Sequence, residues 1–290
     1  MMRGKTCVIT GANSGLGYWT TLALAKKGLH IFMLCRSIDR GEKARIDITT
    51  KTGNKDIELI LVDLSSLASI NKAVEKIKKL TNQVDVLINN AATVSSQRKL
   101  TEDGIESQFA INHIAPFCLT HRLLPLLMKS PDGRVINISS TNHRRGKLHF
   151  EDVNLTTNYN ILRAYNQSKL ANVMFSYELN RNLIARNIKN LGVYCVDPGH
   201  NNTPIGLKNT KNLHYLVWLL RSKMGKSPAR GAECQIFVAI NDHVKSVSGR
   251  YWKNSKTISS SRKSYNETDA QRLWEISLEL CGVQDFFKIT

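Results

Sequence analysis

Tyr165 and Lys169 stand four residues apart in the run Tyr165-Asn-Gln-Ser-Lys-Leu-Ala-Asn-Val173. On a helix that spacing puts both side chains on one face. A free phenol ionises at a pH of about 10, too high for a base working near neutrality. An ammonium beside it favours the phenolate and lowers that value. Ser140 follows the apolar run Arg134-Val-Ile-Asn-Ile138 and adds a hydroxyl able to bond a carbonyl or alcohol oxygen. Together the three could move a proton to or from such an oxygen. Taken alone, Tyr-x-x-x-Lys is also a common surface-helix pattern.

A second group suits phosphate. Thr10-Gly11-Ala12-Asn13-Ser14-Gly15-Leu16-Gly17 lies between an apolar run at residues 6–10 and a helical pattern at 19–27. Glycines there permit a tight turn and let a pyrophosphate approach the backbone, and the helix start supplies N–H groups and partial positive charge. The strand-to-helix position is the context that makes such a turn a dinucleotide signal. The second apolar run ends at Leu34-Cys35-Arg36-Ser37, without the acidic residue that would hold an adenosine ribose. Arg36, with Arg40 behind it, suits a 2′-phosphate, which favours NADP over NAD. An oxidised nicotinamide would add positive charge beside the phenol. The third run ends at Val62-Asp63-Leu64, where Asp63 either accepts from an adenine amino group or caps the next helix.

The elements positioning these groups alternate. Apolar runs at 6–10, 30–34, 57–62, 84–88, 134–138, 191–196 and 249–252 read as strands. Helical patterns occupy 19–27, 40–50, 69–80, 106–128, 165–183, 229–240 and 267–280, with Pro116 and Pro125 arguing against one straight helix in the fourth. Continuous apolar strands separated by helices predict an α/β fold, a Rossmann-like doubly wound parallel sheet, in a single domain spanning residues 1–290.

The 290 residues are 42% hydrophobic and 22% charged, ordinary for a globular chain. Lys and Arg number 41 against 23 Asp and Glu, a formal charge of +18. The basic residues are scattered in ones and twos, which reads as a solvated basic surface and not a nucleic-acid arm. Six cysteines show no CxxC pair and no zinc spacing, so no metal site is expected, and a reducing, cytoplasmic setting follows. Five Asn-x-Ser/Thr sequons occur, two of them inside the motifs above. The first strand starts too early for a signal peptide, and no apolar run is long enough to span a membrane.

The chain resembles the short-chain dehydrogenase/reductase family nearly end to end. The matching pieces, in order, are the turn from Thr10 to Gly17, Asp63, Asn89-Asn90-Ala91, Asn112, Ser139-Ser140, Tyr165 with Lys169, and Pro198-Gly199. The resemblance implies a catalytic set of Asn112, Ser140, Tyr165 and Lys169. Tyr165 would be the general acid/base. Lys169 would lower its pKa and hold the nicotinamide ribose, Ser140 would orient the substrate oxygen, and Asn112 would hold a kinked helix and a water. Ser139 would face the core. Thr203 would contact the cofactor. Where the family has Gly, this chain has Ala92, a methyl close to the cofactor. The insert before Tyr165, Lys147-Leu-His-Phe150 and the stretch from Glu267 to Trp274 are similar to the retinol dehydrogenase-like branch. That branch implies NADP and a hydrophobic alcohol or carbonyl such as a retinoid or lipid aldehyde. The family also implies dimers or tetramers through the long helices.

Residues 200–226 are expected to form the substrate loop. The apolar stretch at 213–220, followed by Arg221, Lys223 and Lys226, fits a lid over a hydrophobic substrate, a segment lying on an anionic membrane, or an ordinary core helix. Two other functions compete with an oxidoreductase. One is a catalytically idle NADP-binding sensor, against which the intact Ser140, Tyr165 and Lys169 argue. The other is a nucleic-acid binder, suggested by charge alone.

Overall fold

The computed structural model of the protein describes residues 4–201 and 225–288. The first strand, β1 (Thr6–Thr10), is buried throughout, and its side chains alternate between two cores. Cys7 and Ile9 join one hydrophobic cluster, and Val8 joins the other. In β2 (His30–Cys35), Ile31, Met33 and Cys35 go one way, and Phe32 and Leu34 the other. Apolar side chains on both faces mean a sheet covered on both sides.

Five more strands follow in parallel: β3 (Ile57–Leu61), β4 (Val86–Asn89), β5 (Gly133–Ile138), β6 (Leu191–Asp197) and β7 (Arg250–Lys253). A short antiparallel strand, β8 (Lys256–Ile258), closes the edge in the order β3-β2-β1-β4-β5-β6-β7-β8. The fold is an α/β, Rossmann-like doubly wound sheet. Its strand order reverses between β1 and β4, where such sheets open a crevice at the strands' carboxyl ends.

Helices α1 (Gly15–Lys26) and α2 (Ile38–Thr52) pack together on one face. On the other lie α3 (Leu67–Leu80), α4 (Ala115–Met128) and α5 (Ile161–Ala185). Helix α6 (Pro228–Ile240) packs on α1, and α7 (Glu267–Leu280) on α5. The predicted fourth helix is divided: one turn at Ser107–Phe109, a π-helical turn at Ala110–Ile114, then α4. The two prolines are not the break, since Pro116 sits in the first turn of α4 and Pro125 inside it. Helix α5 starts four residues before Tyr165 because Asn160 accepts from the N–H groups of Leu162 and Arg163.

One cysteine pairing escaped the spacing argument. Cys118 on α4 and Cys281, just past α7, form a disulfide across a separation of 163 residues, whereas Cys7, Cys35, Cys195 and Cys234 are free and buried. Among the described residues, no helix is long and apolar enough to cross a membrane, and no three His, Cys, Asp or Glu side chains are grouped to hold a metal.

Candidate active site

The turn after β1 forms one wall of a cleft at the switch point. Gly11, Asn13, Ser14, Gly15 and Leu16 line it. Gly11 and Gly15 have φ of 64° and 55°, a region open to glycine. A Cβ on Gly17 would lie 2.2 Å from the Gly11 carbonyl oxygen, so Gly17 permits the close passage of turn and helix. Ser14, at the N-cap of α1, makes no side-chain capping bond, and the first turn holds no acidic residue. The first-turn N–H groups therefore lack a side-chain acceptor, which is the condition a phosphate would satisfy.

The cleft continues past Arg36, Ser37 and Arg40 at the end of β2, and past Asp63 and Leu64 after β3. Asp63 is the only carboxylate among these lining residues. One of its oxygens accepts from the backbone N–H and the hydroxyl of Ser65, while Ser66 caps α3. Asp63 thus shapes the turn before α3 while still bordering the cleft. Asn90, Ala91 and Ala92 form the floor after β4. Ala92 borders both this cleft and the next cavity, which places the methyl that departs from the family pattern between the two.

Three residues of the expected cofactor set do not line the cleft with their side chains. Thr10 is buried, and its hydroxyl accepts from the N–H groups of Asn90 and Ala91, tying β1 to the end of β4. Asn89 points into the core, donating to Asn137 at 2.8 Å and to Thr120 at 3.2 Å. Gly17 packs behind the turn. Thr203 and residues 213–220 lie outside the described residues.

The adjoining cavity, about 560 Å³, is lined by Ser140, Tyr165 and Lys169, with Pro198 and Gly199 beyond β6. It shares Leu16, Asn90 and Ala92 with the first cleft, so the two adjoin. Ser139 and Ser140 both border the cavity, but Ser139 is buried and its hydroxyl is committed to the Lys169 carbonyl at 2.8 Å. Tyr165 faces the same cavity as Ser140, and its ring packs against Val94 and Ile161. The Lys169 ammonium lies 5.6 Å from the Tyr165 ring centroid and donates to the Ile138 carbonyl at 3.0 Å.

Asn112 sits one layer back, on the π-helical turn. Its amide accepts from Thr93 N–H at 2.7 Å and donates to the Thr93 carbonyl and the Ser168 hydroxyl, each at 3.0 Å. Ser168 in turn donates to the Tyr165 carbonyl at 2.9 Å. Asn112 therefore fixes the bulged turn against the helix that carries Tyr165.

The electrostatics depart from the expectation that Lys169 brings the phenol toward neutrality. Burial pushes Tyr165 up to about 12, with the Ser140 hydroxyl pulling the other way and Asp197 adding to the rise. Burial also brings Lys169 down to about 8, opposed by Cys195 and Asp197. Both groups are desolvated, so each resists its charged form, and the ammonium is turned to a backbone carbonyl.

Two features had no sequence signal. His143, in the 3-10 turn Thr141–Arg145, is buried; it donates through Nδ1 to the Ser140 carbonyl at 2.7 Å and accepts through Nε2 from Ser261 N–H at 2.9 Å. Asp197 is buried at the end of β6, where it accepts from the Thr141 hydroxyl and Gly199 N–H and pairs with Lys253 at 3.2 Å. Only the position of His143 three residues past Ser140, and of Asp197 just before Pro198, could have drawn notice.

A doubly wound sheet, a glycine turn at its switch point and a serine–tyrosine pair beside a buried lysine define a nucleotide-dependent oxidoreductase scaffold. The chain belongs to the short chain dehydrogenase family, which its sequence matches over residues 5–213. It is an oxidoreductase acting on CH–OH groups. Mouse retinol dehydrogenase 12 is 36% identical over 285 residues, covering 97% of this chain and 87% of that protein. Human retinol dehydrogenase 13 is 37% identical over 290 residues, covering 97% and 86%. Among solved structures, an uncharacterized protein from Mycobacterium paratuberculosis superposes with a TM-score of 0.80 at 30% identity, over 99% of this chain and 96% of that one. L-sorbose reductase from Gluconobacter frateurii, complexed with NADPH and L-sorbose, has the same fold, with a TM-score of 0.68 at 24% identity over 87% and 95%.

Proposed function

We propose that the chain acts as one domain, an NADP(H)-dependent oxidoreductase interconverting a hydrophobic alcohol and its aldehyde or ketone. The observation that carries this reading is that Ser140, Tyr165 and Lys169 line one cavity that adjoins the glycine cleft. The N–H groups of α1 and the turn from Gly11 to Gly17 would hold the pyrophosphate. Asp63 and Leu64 would border the adenine. Arg36 and Arg40 would take the 2′-phosphate, which supports NADP over NAD. Asn90, Ala91, Pro198, Gly199 and Lys169 would seat the nicotinamide end. When bound, the cofactor exchanges a hydride with the carbon bearing the oxygen.

The protein's part is the proton. In reduction, Ser140 donates a hydrogen bond to the carbonyl oxygen, and the Tyr165 O–H bond breaks as the alcohol O–H forms. In oxidation the same phenolic oxygen receives that proton. Because burial holds Tyr165 near 12, its activation rests on positive charge arriving with the oxidised cofactor and on the Lys169 ammonium. The retinol dehydrogenase relatives and the apolar side chains of Leu16, Ile138 and Leu162 around the cavity support an apolar substrate.

The test is NADPH and NADH oxidation against a panel of aldehydes and ketones that includes retinal. Tyr165→Phe should lower kcat by about 10²–10⁴-fold with NADPH binding retained. Equal rates in wild type and variant would remove Tyr165 from the chemistry. NADPH binding with no turnover of any panel member would leave the idle sensor instead.

A further inference from the structure

The cavity beside Tyr165 has a cationic wall that the proton chemistry does not use. Arg144, Arg145 and Lys253 all line it, together with the polar side chain of Asn142. No carboxylate is among the described lining residues, and Asp197 behind Lys253 is already matched: it pairs with Lys253 and accepts from Thr141 and Gly199. Arg144 donates to the carbonyls of Ser259 and Ser260, which orient the guanidinium without cancelling its charge. Arg145 is exposed and has no carboxylate partner among the described residues. Residues 202–224, which follow the lining residue Asn201, contain no Asp or Glu. Among the described residues, neither of the two guanidinium groups at this cavity is paired with a carboxylate.

A general basic surface does not explain this placement. The arginines share a cavity with Ser140 and Tyr165, and they are separate from Arg36 and Arg40, which line the other cleft. Guanidinium forks recognise carboxylate and phosphate oxygens through paired charge-assisted bonds. The apolar residues that share the cavity with them, Ile138, Leu162 and Pro198, suit a hydrocarbon spacer. We propose that the substrate is an apolar carbonyl or alcohol carrying an anionic group, held by Arg145 and the oriented Arg144, with the reacting oxygen at Ser140 and Tyr165. The anion is a spectator; no bond to it forms or breaks. This rests on the oxidoreductase reading and specifies its substrate class.

Two measurements separate the two claims. The first is binding of nonanoate, methyl nonanoate and nonyl phosphate to the protein saturated with NADPH, read by calorimetry. At least one anion should bind about tenfold or more tightly than the ester, with the advantage falling as salt rises. The tighter of the two anions tells carboxylate from phosphate. The second is kcat/KM for 9-oxononanoate against its methyl ester. The acid-to-ester ratio should exceed about tenfold in wild type, fall toward unity in Arg145→Ala, recover in part in Arg145→Lys, and keep its value in the remote Lys27→Ala. Equal binding of anions and ester, or a ratio unmoved by Arg145→Ala, would overturn the inference. Anion-selective binding with no turnover of either aldehyde would uphold the subsite and count against the oxidoreductase reading.

Discussion

Replacing Lys169 by methionine should make the cofactor-free protein more stable while stopping its chemistry. Lys169 is 1% exposed, and burial holds its pKa at about 8 against an ordinary 10.5. A tenfold change in proton affinity is about 1.4 kcal/mol, so keeping the charge costs the fold about 3 kcal/mol. The sign follows from proton counting. Between pH 8 and 10.5 the unfolded chain binds more protons than the folded one, so stability rises with pH through that window. Below it the whole penalty is present. Methionine fills most of the same volume without charge, and the Ile138 carbonyl keeps a donor, since Asn172 reaches it at 3.2 Å. Lys169→Met should therefore exceed wild type by about 3 kcal/mol at about pH 7, the gap closing toward pH 10.5. Urea unfolding of both proteins across that range measures it, because groups common to both cancel in the difference. A gap independent of pH, or a variant less stable than wild type near neutrality, would refute the reasoning.

Gly17→Ala places a methyl against the Gly11 carbonyl and should cost about 1–3 kcal/mol together with most NADPH affinity, seen by thermal unfolding and cofactor fluorescence. Arg36→Glu should weaken NADPH binding by about 10- to 100-fold and NADH binding far less; equal losses for both would exclude a 2′-phosphate contact. His113 is buried among Phe109, Phe117 and Phe175, and burial lowers its pKa from 6.5 to about 4. The unfolded chain takes up that proton first as pH falls, so about 3 kcal/mol of stability present above pH 6.5 is lost on the way to 4. In His113→Phe this acid-sensitive part should vanish from unfolding curves, and an unchanged acid profile would place the loss elsewhere.

The strands were legible because a sheet covered on both faces demands unbroken apolar runs, and Thr6–Thr10 and His30–Cys35 supply them. The glycine turn was legible because its spacing answers a steric need that Gly17 displays directly. Strand β8 was not, since Lys256–Ile258 is exposed throughout and exists only by pairing with β7. The π-helical turn depends on Asn112 bonding Thr93, a contact between segments whose distance no local pattern encodes. Asn89 and Asn90 show how a motif can mislead: neighbours at a strand end face opposite ways, so one enters the core and the other reaches the cleft. The Cys118–Cys281 pairing and the cationic wall likewise join residues brought together only by the completed topology.

Two hydrogen bonds run in opposite directions between β5 and α5: from the Ser139 hydroxyl to the Lys169 carbonyl, and from the Lys169 ammonium to the Ile138 carbonyl. They lace the end of the strand to the middle of the helix, so the gap between Ser140 and Tyr165 is set during folding and not when a ligand arrives. Such a rigid bracket separates two evolutionary problems. The residues that surround a new molecule can change on the loops outside, while the proton-handling geometry, stitched from within the core, goes along unaltered.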